Sequence, residues 1–131
     1  AEAAQLAHDL SEADLVVGYN LYGFDYPVLQ HYTDEIVLAE LPTVDMMVEI
    51  QRRLGFRLKL DSIATATLNM QKSADGLQAV RWWREGRVDE IIAYCRQDVE
   101  VTRQIYEFGK QNRYIQYYDR QFRIKKVPVS W

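Results

Sequence analysis

Apolar residues at Ala3, Leu6, Ala7 and Leu10 recur three or four positions apart, the spacing of one helix face. This predicts a helix over residues 2–10, followed by a polar break from Ser11 to Asp14. Leu15–Val16–Val17–Gly18–Tyr19 is then a short apolar, β-branched run ending at Asn20, as expected of a buried parallel strand. Asp25 followed by Pro27 predicts a helix start: a capping carboxylate, then a proline in the first turn, where no donor is needed. That helix is expected to run through Leu29 to about Tyr32. Pro42–Thr43–Val44–Asp45 reads as a second short strand, and Met46 to Leu54 as a helix stopped by Gly55. Leu60 to Leu68 is a further helix with Asp61 or Ser62 near its start. Asp75–Gly76 opens another, passing through Trp82 and Trp83 to Glu85 and ending at Gly86. The longest pattern spans Val88 to about Gln111, with apolar positions at Ile91, Ile92, Val99, Ile105 and Phe108. Tyr114–Tyr118 and Arg123–Val129, with a polar turn between them, predict a hairpin. Helices mixed with a few buried strands point to an α/β fold.

Composition adds bounds to this outline. With 131 residues the chain is long enough for one ordinary domain with a single core. Apolar residues at 48% and charged residues at 27% fit a globular chain and exclude a disordered one. No apolar run of about 18 residues exists, which excludes a membrane-spanning helix. The opening AEAAQLAHDL has no basic region and no continuous apolar core, so it does not read as a signal peptide. It also lacks an initiating Met, which suggests that upstream residues were left out. Cys95 is the single cysteine, so neither an internal disulfide nor a thiolate zinc cluster can form, and a reducing, cytoplasmic setting is expected. Cys95 itself reads as a small, half-buried filler on a helix. The net charge of −3 argues against a passive nucleic-acid coat, though not against a nuclease whose carboxylates work through bound cations.

Two acidic residues have specialised settings. Asp25 lies just past the C-terminal end of a buried strand, where open α/β sheets bind ligands. Asp98 follows Tyr94 by four residues on the long helix, so the carboxylate and the phenol share one face. If that helix crosses the strand end, both carboxylates can hold hard cations such as Mg²⁺ or Mn²⁺. Spacing alone leaves plainer readings open. Asp25 on its own is more often an N-cap, Asp98 part of a solvated face, and Tyr94 a core or rim aromatic.

Taken together, the residues are more specific. GYNLYGFDYPVL at Gly18–Leu29 resembles the second motif, NxxxFD, of the DEDD superfamily of 3′→5′ exonucleases, and YCRQDVEVT at Tyr94–Thr102 resembles its third motif in the tyrosine form, YxxxD. LKLDSIATATL at Leu58–Leu68 is similar to the segment joining these motifs in family-B polymerase proofreading domains and related bacterial exonucleases. The resemblance reaches to about residue 112. It implies a ribonuclease-H-like α/β fold over residues 1–112, incomplete at its N-terminus, with 113–131 as a C-terminal hairpin extension. It also implies metal-dependent hydrolysis of phosphodiester bonds from the 3′ end of single-stranded DNA or RNA. Asp25 and Asp98 would be catalytic metal ligands for two divalent cations (Mg²⁺ or Mn²⁺), and Tyr94 would position or help activate the attacking water. Asn20 would hydrogen-bond at the strand exit or near the substrate. Phe24 would pack at the site or against the terminal nucleotide, with an ordinary core position an equally good reading.

The family's first motif, DxE on the opening strand, has no counterpart here. Asp14 lacks the partner, and Asp34–Glu35 and Asp89–Glu90 fall in loop or helical settings. The resemblance therefore implies that this stretch alone is inactive or very weak. It also implies that the strand at Leu15–Tyr19 has an unpaired edge, to be covered by a second copy, a swapped segment or the C-terminal hairpin. Two alternatives stand beside the exonuclease: a catalytically degenerate relative kept for nucleic-acid binding or scaffolding, and an unrelated α/β domain with coincidental motifs.

Other residues are read more plainly. Asp45 and Asp61 are expected to cap the helices that follow them. Arg81, Arg84 and Arg87 beside Trp82 and Trp83 suggest a phosphate-facing strip with stacking rings, at least one tryptophan being core. The tail, with Arg113, Arg120, Arg123, Lys125 and Lys126 among Tyr114, Tyr117 and Tyr118, suits single-stranded nucleic acid or an ordinary solvated hairpin equally well.

Overall fold

A computed structural model describes residues 2–70 and 76–131. The chain forms two compact units, residues 1–57 with Trp131, and Leu58–Ser130.

The first unit begins with α1 (Glu2–Ser11), which feeds β1 (Val16–Gly18). A π-helical turn (Leu21–Asp25) runs directly into α2 (Tyr26–Gln30). A 3₁₀ turn (Leu38–Glu40) precedes β2 (Thr43–Asp45), which is followed by α3 (Met46–Leu54). The two strands pair in parallel, Val16 with Thr43, Val17 with Val44 and Gly18 with Asp45. Both are shorter than the apolar runs suggest, and Leu15 is exposed. Ala7, Val16, Tyr26 and Leu38 form the core of this unit, ringed by Leu10, Leu21, Leu29, Ile36 and Leu41. The predicted face of α1 therefore holds at Ala7 and Leu10, while Leu6 stays exposed. The Gln30 carboxamide ties the loop after α2. It donates to the carbonyls of Thr33 (3.0 Å) and Ile36 (2.8 Å) and accepts from the Leu38 N–H (3.0 Å). α3 buries Met46, Met47 and Ile50 and ends at Gly55, whose φ of 83° is the left-handed conformation glycine adopts freely.

The second unit contains α4 (Leu60–Leu68), α5 (Gly76–Arg84), α6 (Val88–Asn112) and the antiparallel pair β3 (Tyr114–Tyr118) and β4 (Ile124–Pro128). The hairpin register runs from Tyr114 opposite Pro128 to Tyr118 opposite Ile124. β3 alternates in burial: Ile115 and Tyr117 face inward, with Val127 and Val129 buried as well. α4 lies along β3 and binds it through hydroxyls. Thr67 Oγ1 accepts the Gln116 N–H and donates to the Gln116 carbonyl, both at 2.8 Å, and Ser62 Oγ accepts the Tyr118 N–H at 3.2 Å. α6 buries Val101, Ile105 and Gly109, each four residues apart on one stripe. Two of its predicted apolar positions are outside this stripe: Ile92 is exposed, and Val99 is 70% exposed. The Phe108 and Tyr114 rings meet edge to face at 5.5 Å where α6 hands over to β3.

Four local expectations are corrected. Asp25 does not cap α2; it already has helical angles as the last residue of the π turn and makes no capping bond, although Pro27 does occupy the first turn. Asp45 likewise makes no capping bond to α3, while Asp61 lies inside the first turn of α4 and Lys59 holds the cap position. Cys95 is exposed, not half-buried, because the buried stripe of α6 starts further along the helix. Neither tryptophan of α5 is core: Trp82 is half-buried and Trp83 is 72% exposed. Asp75 lies outside the described residues.

Candidate nuclease site

The exit of β1 is built around an aspartate from the neighbouring strand. Pairing of Gly18 with Asp45 sets the Asp45 side chain beside the residues that follow β1. Its carboxylate, only 3% exposed, accepts the Asn20 N–H at 2.8 Å on one oxygen and the Tyr22 N–H at 3.0 Å on the other. These two bonds hold Asn20 in the left-handed conformation (φ 65°, ψ 38°), which asparagine tolerates better than most residues. Two glycines make room for the turn. A Cβ on Gly18 would lie 2.6 Å from Leu21 Cγ, and one on Gly23 would lie 2.3 Å from Asn20 Oδ1. The Asn20 carboxamide therefore sits over Gly23.

From there the chain makes its π turn: Phe24 N–H donates to the Asn20 carbonyl (3.0 Å) and Tyr26 N–H to the Leu21 carbonyl. Such single-turn insertions occur often at functional sites, because the extra residue changes which side chains face inward. Here Tyr26 is the buried one. Its ring meets Tyr22 edge to face at 5.6 Å, and its hydroxyl lies 2.7 Å from Thr43 Oγ1. Thr43 gives its own proton to the Leu41 carbonyl (2.8 Å), so Tyr26 is the donor in that pair. Phe24, at 62% exposure, and Asp25 are left facing solvent. Phe24 is thus not a core residue.

Charge is concentrated at this exit. Desolvation by its neighbours raises the Asp25 carboxyl above the ordinary carboxylate range, and the Asp45 charge adds to that, against a lowering bond from its own amide. The Tyr19 phenol is pushed far up by burial and then by Asp45, so it stays neutral.

In the second unit Tyr94 and Asp98 share one face of α6, as their spacing predicts. Tyr94 meets Trp82 of α5 edge to face, with centroids 6.2 Å apart. Asp98 is half-buried, and its carboxyl is raised first by that desolvation and then by the Asp61 charge. Asp61, in the first turn of α4, is therefore an electrostatic neighbour of Asp98, a relation that spacing along the chain did not reveal. Thr102 Oγ1 donates to the Asp98 carbonyl at 2.7 Å. The expected arginine strip is reduced, because Arg87 is held by Glu85 (3.3 Å) and by Glu90, while Arg81 and Arg84 are exposed.

Asp25 and Asp98 offer hard oxygen donors of the kind Mg²⁺ and Mn²⁺ take. Each carboxyl is raised in a setting with a second carboxylate nearby, and a cation there would relieve that repulsion. The donor chemistry thus fits. Among the described residues no three His, Cys, Asp or Glu side chains gather into a metal-holding group. No described helix is long and apolar enough to cross a membrane.

A family model of the RNase H superfamily matches residues 1–108, and the chain belongs to that superfamily. This removes the reading of an unrelated α/β domain and makes the chain a nuclease-type relative. No curated protein and no solved structure matches it.

Proposed function

We propose that this chain belongs to a metal-dependent 3′→5′ exonuclease of the DEDDy type, acting on single-stranded nucleic acid. Asp25 and Asp98 hold divalent cations, Tyr94 orients the attacking water, and Asn20 and Phe24 meet the terminal nucleotide. The observation that carries the reading is the β1 exit. A buried aspartate and two glycines build a turn that leaves Asp25 and Phe24 facing outward, and Asp25 takes no part in helix capping. Such construction exceeds what a connecting loop requires. Cations bound there would lower the pKa of the attacking water and offset charge on the leaving 3′-oxygen. The protein's part is to present oxygen donors at the strand exit and a phenol beside Asp98, with Asp45 fixing the backbone.

The test follows 5′-labelled single-stranded DNA and RNA with Mn²⁺, using the native gene product that carries this chain. A ladder shortening from the 3′ end is expected, falling roughly 1,000-fold in Asp25→Asn and in Asp98→Asn, as when a group that stabilises reaction charge is removed. Binding without cleavage in the parent protein would overturn the exonuclease. It would favour the second reading, a degenerate relative that only binds nucleic acid, to which the basic hairpin at 113–126 gives independent support.

A further inference from the structure

The hairpin turn between β3 and β4 holds a side chain that folding does not explain. Asp119 and Arg123 close the turn, the Asp119 N–H donating to the Arg123 carbonyl at 2.9 Å. Within it the Phe122 N–H donates to the Asp119 carbonyl at 3.1 Å, and Phe122 then takes φ 59°. This is the three-residue hairpin connection whose last position is left-handed and is normally filled by glycine. A bulky residue there works against its own backbone preference. Burial gives nothing back, since the ring is 86% exposed. A strained, solvated aromatic at a loop tip is the kind of outlier from which function is inferred.

Charge points to the partner. Residues 113–126 contain Arg113, Arg120, Arg123, Lys125 and Lys126 against one acid, Asp119, in a chain of net charge −3. Asp119 is already engaged, accepting the Gln121 N–H at 2.8 Å and the Arg123 N–H at 2.9 Å. Elsewhere Arg52, Arg87 and Arg103 are held by glutamates, whereas among the described residues none of the hairpin's five cations is in an ion pair. Lys126 lies 4.5 Å over the Tyr114 ring, and the three cations nearest Phe122, namely Arg120, Arg123 and Lys125, are exposed.

We infer that the tip of the β3–β4 hairpin binds single-stranded nucleic acid, Phe122 stacking on a base while Arg120, Arg123 and Lys125 take the flanking phosphates. Every base has a π-face, so this contact is tolerant of sequence and would hold the strand apart from the residues that do chemistry. It rests on the nucleic-acid reading above but not on catalysis.

The test is fluorescence anisotropy of 5′-labelled oligothymidylate with the native gene product in an Asp98→Asn background, where the probe is not degraded. Phe122→Ala is expected to weaken binding roughly tenfold, and Phe122→Trp to retain it. Replacing Arg120 and Arg123 together with Ala should lower the salt slope by about 1.4, at about 0.7 per single-strand phosphate. Phe122→Gly separates the roles, because it should melt no lower than the parent yet bind as weakly as Phe122→Ala. Unchanged affinity and salt slope in all these variants would overturn the inference while leaving the exonuclease standing. Binding through the hairpin by a parent that cleaves nothing would do the reverse. Tight, Phe122-dependent binding to phosphatidylserine vesicles, with none to the oligonucleotide, would overturn it in favour of a membrane surface.

Discussion

Two turns in this molecule are closed in the same way. At the β1 exit and at the hairpin tip, one aspartate carboxylate accepts two backbone N–H groups, one residue other than glycine is left-handed, and a phenylalanine is left in solvent. They differ in where the aspartate comes from. Asp45 reaches the first turn from a paired strand, 25 and 23 residues away from its donors, and is buried. Asp119 is part of the turn it closes, two and four residues from its donors, at the surface. A local carboxylate can shape a turn before anything else has folded. A distant one can do so only once the sheet register exists. The β1 exit is thus a tertiary structure in the form of a loop, and its geometry should be lost or kept together with the sheet.

The largest expected effect breaks the first turn. Asp45→Ala removes a buried charged acceptor from two amides and should cost about 3 kcal/mol, each bond to a charged group being worth roughly 1.5–3 kcal/mol. Hydrogen exchange should report it as a loss of protection at Asn20 and Tyr22. Protection that survived would mean that the π turn holds itself. Gly23→Ala comes next: its methyl meets Asn20 Oδ1, so the carboxamide must turn aside, and a loss of about 1 kcal/mol measured by urea unfolding is expected.

The hairpin should respond less. Asp119→Ala is expected to speed exchange at Gln121 and Arg123 without altering Asn20 or Tyr22. Its pH dependence has a definite sign. The Arg123 N–H, above all, holds the Asp119 carboxyl below the ordinary carboxylate range, with the Gln121 N–H and the nearby Lys125 and Arg123 charges contributing. A group lowered in the folded state stabilises above its unfolded pKa, so the contribution is complete above about pH 4 and fades as pH falls through the lowered value. Exchange at Arg123 measured along that titration checks the sign. The smallest effects are at the two left-handed residues. Asn20→Gly and Phe122→Gly should each change stability by less than about 1 kcal/mol, because relief of strain and added freedom of the unfolded chain oppose one another. A large loss for Asn20→Gly alone would show that its carboxamide, more than its backbone, holds the first turn.

Much of the fold was legible from periodicity. The apolar spacing of α1, the runs at β1 and β2, the glycine stops after α3 and α5, and the polar turn of the β3–β4 hairpin all reflect forces acting between near neighbours in sequence. What was misread depends on register. Asp45 read as a cap for the helix it precedes, because nothing nearby shows that its partners lie across a sheet. Ile92 and Val99 belong to the apolar pattern of α6, whereas the stripe through Val101, Ile105 and Gly109 is set by what α6 lies against. Of the candidate site, Asn20, Phe24 and Asp25 do share one turn, and Tyr94 and Asp98 do share one helix face. The Asp61–Asp98 relation was hidden, since it joins two helices. Phe122 was missed for another reason: composition marks a basic tail, but only backbone angles show which of its residues is strained.

The π turn has a consequence for how this chain tolerates change. Most loops accept an inserted or deleted residue by bulging toward solvent. Between Asn20 and Asp25 the number of residues acts as an angular setting, because the turn continues without a break into α2. Each helical residue advances the direction of the next side chain by about 100°. One residue more or fewer would therefore swing Asp25 round by roughly that angle while leaving composition, hydropathy and secondary structure almost unchanged. In this stretch of the chain, length itself is under constraint.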